Sequence, residues 1–276
     1  MMCRLMGVKS NSYYSYQKRK REKLEDPRHK EMVDLVKEIS ASSQQTYGQR
    51  RIKEALIING YFVGRYKTKK LMEEAKVWVR HRKKFKVTTD SNHKYLLYEN
   101  VLDRNFYAEM PDQVYVSDIT YIWTQEGWLY LAVVIDLFSR RVVGWSMGSR
   151  MKANLVCDAL KMAIWQRKPA AGLIVHSDRG SQYASKVYRQ LLKTHSFIGS
   201  MSRKGNCWDN SVAESFFGSM KQERVQWKSY QTRYEAHQDV LNYISMFYNC
   251  ERLHSYVGYR SPMQFELDML ELKKVA

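Results

Sequence analysis

The amino-acid sequence predicts an α/β protein in which a mixed five-stranded sheet flanked by helices follows a small all-α domain. Two observations carry this prediction. Apolar residues recur at helical spacing before residue 80, whereas from residue 113 they alternate, as expected for strands. Beyond that point, strand-like and helix-like segments follow one another in the order βββαβαβα. Helices packed on both faces of such a sheet would bury its apolar side chains.

The predicted all-α domain spans residues 26–78 and contains three short helices. The first begins at Asp26-Pro27, where Asp is the cap and Pro takes the first helical position. The others begin near residues 47 and 66, and a glycine-bearing turn precedes the last. This pattern is typical of a helix-turn-helix, although any three-helix bundle can look similar. The basic residues of the predicted recognition helix, which we expect to contact DNA, are Arg65, Lys67, Lys69 and Lys70.

The charge of the chain predicts a nucleic-acid partner. The 276 residues carry a formal net charge of +18, of which +12 lies in residues 1–110. A basic N-terminal arm, residues 1–25, precedes the helices, and a basic linker, residues 79–111, follows them. In the linker we expect DNA contacts from Arg82, Lys83 and Lys84.

Composition argues against several other classes of protein. The longest apolar run, residues 128–138, is too short to span a bilayer, and residues 1–12 have no apolar stretch typical of a signal peptide. The four cysteines are scattered without a CxxC pair, which argues against a zinc knuckle or a disulfide framework. We therefore expect a cytoplasmic protein without a membrane partner.

The sheet is predicted within residues 112–228. The predicted elements are strands at 113–124, 128–137 and 140–147, a helix at 152–166, a strand at 173–176, a helix at 185–194, a strand at 198–202 and a long helix beginning near 209–211. This order is that of the ribonuclease-H-like fold. Residues 229–276 are predicted to add C-terminal helices, one over 234–249 and one after Pro262.

Three carboxylates lie at or near the ends of these predicted elements. Asp118 lies on an apolar strand face, Asp178 ends a buried strand, and Glu214 lies in the first turn of the long helix. An uncompensated carboxylate in such a strand is costly, so we expect it to be paired or bound to metal. Acids that converge from distant parts of a chain hold divalent cations for phosphoryl transfer. All three donors are hard oxygens, so we expect them to be catalytic ligands of Mg²⁺ or Mn²⁺, with two ions bound.

The long helix leaves alternatives open. Glu214 also fits a capping box with Ser211, in which its carboxylate would bond to the helix backbone. Lys221 lies two turns after Glu214 on nearly the same face, where it could meet a DNA phosphate or remain an ordinary exposed lysine. We expect Lys221 to contact DNA and Arg224 to extend its basic stripe.

Other polar residues are interpreted as structural. Asp136 is expected to pair with Arg140 or Arg141, and Asp209 is interpreted as a helix cap. His176 lies two residues before Asp178. Its role has two possible interpretations, namely support of the site or a contact with DNA.

Several motifs resemble the retroviral-integrase-type catalytic core in the version found in bacterial insertion-sequence transposases. In the core these are SDITYI at 117–122, DLFSRRVVGW at 136–145, HSDRGSQY at 176–183, GNCWDN at 205–210 and ESFF at 214–217. RLHS at 252–255 and GYRSP at 258–262 resemble the tail of the same family, and YGQRRI at 47–52 resembles the helix-turn-helix segment that precedes its core. The whole chain resembles the OrfB product of the two-reading-frame family typified by insertion sequence three.

This resemblance implies an RNase-H-like DDE transposase. Asp118, Asp178 and Glu214 match the three metal ligands, and Lys221 matches the basic residue seven positions after the glutamate. Such enzymes cleave one strand at an element end and join the freed 3′-hydroxyl to new DNA. The implied partners are the terminal inverted repeats, target DNA, and a first-frame OrfA product, and we expect a homo-oligomer on DNA.

Two other functions compete with transposition. A DNA-binding accessory protein would act only through a fused first-frame partner, and a simple ribonuclease-H-like nuclease would hydrolyse DNA without joining it. The intact trio of acids argues against a purely binding role. The basic helix-turn-helix argues against a general nuclease.

Overall fold

The computed structural model describes residues 7–80, 97–204 and 206–275. The chain divides into two compact units, residues 1–81 and 82–276. Within the described residues, every helix is too short or too polar to cross a membrane.

The first unit is a bundle of helices. They are α1 (Ser10–Glu25), α2 (Pro27–Ser42), α3 (Gln49–Ile58) and α4 (Arg65–Glu74). The Asp26 carboxylate accepts a hydrogen bond from the Arg28 backbone at 3.0 Å, so the predicted capped start of α2 is confirmed. Helices α2, α3 and α4 pack on one another through buried apolar side chains, among them Met32, Val36, Ile52, Leu56 and Leu71.

Helix α1 departs from the sequence prediction, which describes residues 1–25 only as a basic arm. The segment has no apolar residues at helical spacing, so its sequence does not predict a helix. In agreement with this, its described side chains are almost all exposed. It is instead rich in Lys, Arg, Gln and Glu, which form helices readily. Local pairs support it, such as Lys18 with Glu22 at 3.8 Å.

The second unit is built on a mixed five-stranded sheet. Its strands are β1 (Val114–Thr124), β2 (Gly127–Asp136), β3 (Val142–Gly148), β4 (Ile174–Ser177) and β5 (Ile198–Met201). Their order is β3-β2-β1-β4-β5, in which β1, β2 and β3 form an antiparallel meander and β4 runs parallel to both β1 and β5. The predicted mixed sheet is confirmed.

Helices cover both faces of the sheet. They are α5 (Ala153–Arg167), α6 (Lys186–Thr194), α7 (Ser211–Glu223), α8 (Arg233–Asn242) and α9 (Pro262–Val275). Helix α8 continues as a π-helical segment, Tyr243–Tyr248, where the sequence predicts one uninterrupted helix. Helices α7 and α8 pack on the face that includes Val116, and α5 and α6 pack on the opposite face. Because both faces are covered, β2 is buried from Leu131 to Asp136.

Asp136 is structural, but its predicted partner is wrong. The carboxylate is fully buried and accepts backbone hydrogen bonds, including one from Asp112 at 3.1 Å. The nearest guanidinium belongs to Arg167, at 3.6 Å, rather than to Arg140 or Arg141. Arg167 is the last residue of α5, and it reaches Asp136 only because this helix packs on the sheet. The distance between the two residues in sequence does not reveal this contact. Burial raises the pKa of Asp136 to about 7.

Candidate active site

Asp118 and Asp178 are brought together by the parallel pairing of β1 and β4. The paired register ends at Ser117 opposite Ser177, so the two aspartates occupy the next position on neighbouring strands. Neighbouring strands lie about 4.8 Å apart. Two acids separated by 59 residues in sequence therefore become lateral neighbours on one face of the sheet.

Each aspartate is oriented by a backbone N–H close to it in sequence. Asp118 Oδ1 accepts from the Ile119 N–H at 2.7 Å, and Asp178 Oδ1 accepts from the Gly180 N–H at 2.9 Å. A Cβ on Gly180 would lie 3.0 Å from Asp178 Oδ1 and 3.0 Å from Gln182 Oε1. The turn after β4 is therefore closely fitted around the half-buried Asp178 carboxylate.

Glu214 lies in the first turn of α7 and is exposed. The helix cap is Asn210, whose side chain makes no capping bond, and Ser211 is already the first helical residue. The capping-box interpretation of Glu214 and Ser211 is therefore wrong. Instead, Glu214 borders a groove of about 390 Å³, whose other lining residues include Trp208, Ser211, Ser215, Ser219 and Gln222.

Burial and repulsion from neighbouring acids both disfavour the ionised form of Asp118. Burial raises the pKa of Asp118 well above its usual range, and the neighbouring charge of Asp178 raises it further. Glu214 acts in the same direction, and Lys221 opposes it as the weakest influence. Burial of part of its side chain also raises the pKa of Glu214. Asp118 therefore feels the charges of both other acids, that of Asp178 more strongly than that of Glu214.

Lys221 lies within electrostatic reach of Asp118. Its Nζ lies 4.9 Å from the centroid of the Tyr121 ring, on β1, in a cation–π contact. Burial lowers the pKa of Lys221, and the charge of Asp118 opposes this effect. The lysine predicted two turns after Glu214 is therefore half-buried beside the acids rather than an ordinary surface residue.

Sequence analysis missed Tyr183, which is buried behind the two aspartates. Its hydroxyl lies 3.0 Å from Ser117 Oγ, and that serine donates its own proton to the Val133 carbonyl at 2.8 Å. The tyrosine is therefore the donor. Burial, followed by the charges of Asp118 and Asp178, raises the pKa of its phenol, so it stays neutral. Tyr183 ends the motif HSDRGSQY, which is the signal that could have marked it, but its contact with Ser117 depends on strand pairing.

His176 supports the strands rather than meeting DNA. The ring is fully buried, with Nδ1 2.8 Å from Ser200 Oγ and Nε2 3.2 Å from Ser202 Oγ. Ser200 Oγ already accepts the N–H groups of Val101 and Leu102, so it donates to Nδ1 and the histidine proton lies on Nε2. Burial lowers the pKa of His176 to about 4, which keeps it neutral.

Asp209 is the centre of an arginine cluster rather than a helix cap. It lies in the 3₁₀ turn Cys207–Asn210 and accepts from Arg203 Nη2 at 2.9 Å and from Arg104 Nε at 2.8 Å. Asn100 also donates to it, at 3.1 Å. The hydrogen-bonded Arg203 side chain holds the pKa of Asp209 well below its usual range. Arg203 is near Asp209 in sequence, but Arg104 and Asn100 are more than one hundred residues away, so only the folded chain reveals the whole cluster.

The donor set fits a hard divalent cation in its chemistry. Among the described residues, no three Asp, Glu, His or Cys side chains are arranged so that they could hold an ion together. Asp118 and Asp178 nevertheless place two carboxylates side by side, and the charge of Lys221 only weakly offsets the raised pKa of Asp118. Oxygen donors of this kind suit Mg²⁺ or Mn²⁺.

Comparisons with known proteins show the family of the chain. Residues 108–207 and residues 214–270 match two models described as integrase core domain, and residues 27–85 match an HTH-like domain. Over 266 residues the chain is 41% identical to the transposase InsF for insertion sequence IS3A of Escherichia coli strain K12, covering 96% of this chain and 92% of that protein. The chain belongs to this family of IS3 transposases.

Two further proteins are similar to this chain. An uncharacterized 31 kDa protein of insertion element IS600 from Shigella sonnei is 40% identical over 265 residues, covering 96% of this chain and 97% of that protein. The HTLV-2 integrase catalytic core domain, solved in complex with magnesium, is 16% identical with a TM-score of 0.46, covering 58% of this chain and 99% of that one.

In this IS3-family transposase, the basic residues predicted on the recognition helix are exposed. Arg65, Lys67, Lys69 and Lys70 all project from α4 toward solvent. Lys69 lies 3.8 Å from Glu73 on the same helix, and Lys70 Nζ lies 4.6 Å from the centroid of the Tyr66 ring. Such exposed contacts are weak, so these cations remain accessible to a partner.

The remaining predicted DNA contacts have different surroundings. Arg224 follows α7 with its side chain only 12% exposed, and its Nε lies 3.6 Å from Asp239. A contact of Arg224 with DNA would require this pair to open. Arg82, Lys83 and Lys84 lie outside the described residues.

Proposed function

We propose that this transposase uses Asp118, Asp178 and Glu214 as metal ligands to cleave a DNA strand at the ends of its insertion sequence and to join it to target DNA. The observation that supports this proposal is the adjacency of Asp118 and Asp178 at the ends of paired strand segments. Burial and the neighbouring charge of Asp178 both disfavour the ionised form of Asp118. A bound cation would offset that cost.

The cofactor in this proposal is Mg²⁺ or Mn²⁺, with two ions bound. When bound, such ions polarise the phosphodiester, activate the hydroxyl nucleophile and stabilise the leaving oxygen. Strands β1 and β4 hold Asp118 and Asp178 in place, whereas Glu214 reaches them from the first turn of α7. Glu214 is therefore the ligand whose position depends most on bound DNA and metal.

Lys221 positions a phosphate of the DNA beside the acids. Its ammonium is half-buried, and the Tyr121 ring limits its movement. An attraction to phosphate is stronger in such a partly dry site than at the open surface. Lys221 therefore orients the strand that the acids act upon.

The basic helical unit binds DNA in this proposal. The exposed cations of α4 would contact the terminal inverted repeats, with the basic linker following the backbone. Since two element ends must meet target DNA, a homo-oligomer forms on DNA in the cytoplasm, where the protein associates with the nucleoid. A first-frame OrfA product, implied by the family resemblance, is a further partner.

A strand-transfer assay tests the proposal. The full chain is incubated with a labelled pre-cut element end, Mn²⁺ and a supercoiled plasmid, and joined product is measured. Asp178→Asn removes one proposed ligand. Asp158→Asn is the matched control, because Asp158 is an exposed α5 residue whose carboxylate pairs with the nearby Lys161 at 3.3 Å.

Each outcome has a distinct meaning. Joined product from wild type and Asp158→Asn, but not from Asp178→Asn, supports the proposal. Hydrolysis without joining would favour a nuclease. DNA retention on a gel with neither reaction, even in the presence of the OrfA product, would favour an accessory protein and overturn the proposed chemistry.

A further inference from the structure

A second cavity borders α7 beside the groove that contains Glu214. It has a volume of about 220 Å³, and the residues that matter here are Arg140, Ser211, Ser215, Ser219, His254 and Tyr256. The three serines also line the Glu214 groove, so one helix separates the two spaces. The cavity is smaller than the roughly 300–1,000 Å³ of sites for drug-sized ligands. It suits a compact chemical group.

Arg140 presents an unpaired donor at this cavity. The residue is only 5% exposed, and its Nη2 donates to the Phe106 carbonyl at 2.8 Å. The guanidinium also lies flat on the Tyr256 ring, 3.7 Å from the centroid. Its Nη1 is buried and makes no hydrogen bond to any described residue. A buried donor left without an acceptor is unfavourable, so a ligand acceptor would relieve this cost.

The backbone of Arg140 is shaped by the tight connection between β2 and β3, in which its N–H donates to the Asp136 carbonyl at 2.8 Å. Its φ of +64° lies in the left-handed region, which favours glycine or asparagine over a long side chain. The turn between β2 and β3 therefore carries an arginine where the backbone alone would favour glycine.

The lining of the cavity favours an anion. None of its lining residues is Asp or Glu. Ser211 and Ser215 lie in the first turns of α7, where the helix dipole is positive. Hydroxyls, a positive helix end and a buried guanidinium together match the acceptor oxygens of a phosphate.

We propose that this cavity binds a phosphate group of the DNA backbone, with Arg140 as its principal ligand. The proposal rests on the proposed function, because DNA held at Glu214 lies against the same helix and supplies a second phosphate within reach. Arg140 would then fix the DNA on one side of α7 while Lys221 and the acids act on the other. A single phosphate contact of this kind positions DNA without reading its sequence.

The test measures DNA affinity without divalent ions, in the full chain carrying Asp178→Asn. Binding is then independent of catalysis, so its failure is distinguishable from failure of the strand-transfer chemistry. A labelled duplex is titrated at several salt concentrations between about 50 and 200 mM. The variants are Arg140→Gln, which removes the charge, and Ser215→Asp, which places a carboxylate on an exposed residue at the cavity. Gln166→Glu, on exposed α5 surface, adds the same negative charge as a control.

We expect Arg140→Gln to weaken binding and to reduce the slope of log K against log salt by about 0.9, the value for one phosphate contact on duplex DNA. Ser215→Asp should weaken binding about tenfold, whereas Gln166→Glu should stay within about twofold, since it is a distant surface charge. An unchanged slope in folded Arg140→Gln would overturn the proposal. If Arg140→Gln does not fold, equal affinities of Ser215→Asp and Gln166→Glu would overturn it instead.

A parallel measurement distinguishes DNA phosphate from a free anion. Inorganic phosphate is added to the wild type and to Arg140→Gln, and the melting temperature is recorded. Phosphate-dependent stabilisation of the wild type alone, with no change in the DNA salt slope, would assign the cavity to a free anion and reject the DNA proposal.

Discussion

Asp118 and Asp209 are carboxylates of the same structural unit with opposite surroundings. Asp209 accepts hydrogen bonds from Arg203 and Arg104, and the Arg203 side chain lowers its pKa. Asp118 instead has Asp178 as its lateral neighbour, and burial together with that neighbour raises its pKa. One acid is neutralised by the fold, and the other is not.

This difference separates an acid that stabilises the fold from an acid that is available to a cation. A charge that arginines already neutralise gains little from a metal ion, and its loss destabilises the protein. A carboxylate whose surroundings disfavour its ionised form lowers the stability of the folded protein when no cation is bound. A bound cation would restore that stability. The predictions below test the contrast between Asp118 and Asp209.

The largest expected effect is the loss of strand transfer in Asp118→Asn. Metal-assisted stabilisation of the transition state is worth several kcal/mol, and about 4 kcal/mol corresponds to roughly a thousandfold in rate. We therefore expect a decrease of that order or more, measured as joined product over time. Asp158→Asn should retain the wild-type rate. A decrease of less than tenfold in Asp118→Asn would remove Asp118 from the proposed ligands.

Divalent ions should stabilise the wild type through the acid cluster. A ligand that binds only the folded state stabilises it by about 2.7 kcal/mol at a hundredfold excess over its Kd. We expect Mn²⁺ to raise the melting temperature of the wild type and of Asp209→Ala, but not of Asp118→Asn. Equal stabilisation of all three proteins would place the metal site elsewhere.

Asp209→Ala should destabilise the protein by roughly 1–3 kcal/mol, measured by urea unfolding. The carboxylate is fully buried, but Arg203 and Arg104 are each nearly half exposed, and water therefore compensates part of the loss. The comparison variant is Asp158→Ala, because an exposed ion pair contributes less than about 1 kcal/mol. If both variants lose the same stability, the arginine cluster is not a structural centre.

The smallest effect concerns pH in the absence of divalent ions. An unfolded Asp ionises near pH 3.9, whereas the folded Asp118 ionises only at higher pH. As pH rises from about 4, the unfolded state loses its proton first, so the wild type loses stability until the folded pKa is passed. Asp118→Asn should therefore be more stable than the wild type at neutral pH, with the difference vanishing near pH 4.

For Asp209 the sign is reversed. Its lowered pKa gives stability that is present above pH 4 and is lost as pH falls through the folded pKa. The stability difference between wild type and Asp209→Ala should thus shrink on acidification. Unfolding curves at several pH values check both signs, and parallel pH profiles for the two variants would contradict the comparison.

Much of the candidate site was predictable from local sequence. The alternation around Asp118 marks a strand, the aliphatic run before Asp178 marks a buried strand end, and the element order relates them to Glu214. These patterns can be recognised in a single sequence because the spacing of apolar residues in a strand or a helix depends only on neighbouring residues. The position of Lys221 on the Glu214 face follows from the same helical period.

The partners of buried polar groups were not predictable in this way. Asp136 meets Arg167 rather than an adjacent arginine, and Asp209 meets Arg104 from a segment distant in sequence. Tyr183 reaches Ser117 only because β1 and β4 pair in parallel. Contacts of this kind depend on how elements pack, which periodicity does not specify.

By itself, the sequence determined the strands and the order of the helices other than α1, because apolar spacing within each of those segments requires a helix or a strand and buries one face of it. The sequence also indicated that Asp118, Asp178 and Glu214 are candidates for one site, because the position of each acid within its strand or helix follows from the residues around it. Only the tertiary structure decided which charges are neutralised. Burial and ion pairing arise between segments far apart in the chain, and they distinguish Asp118 from Asp209 although the two are the same amino acid.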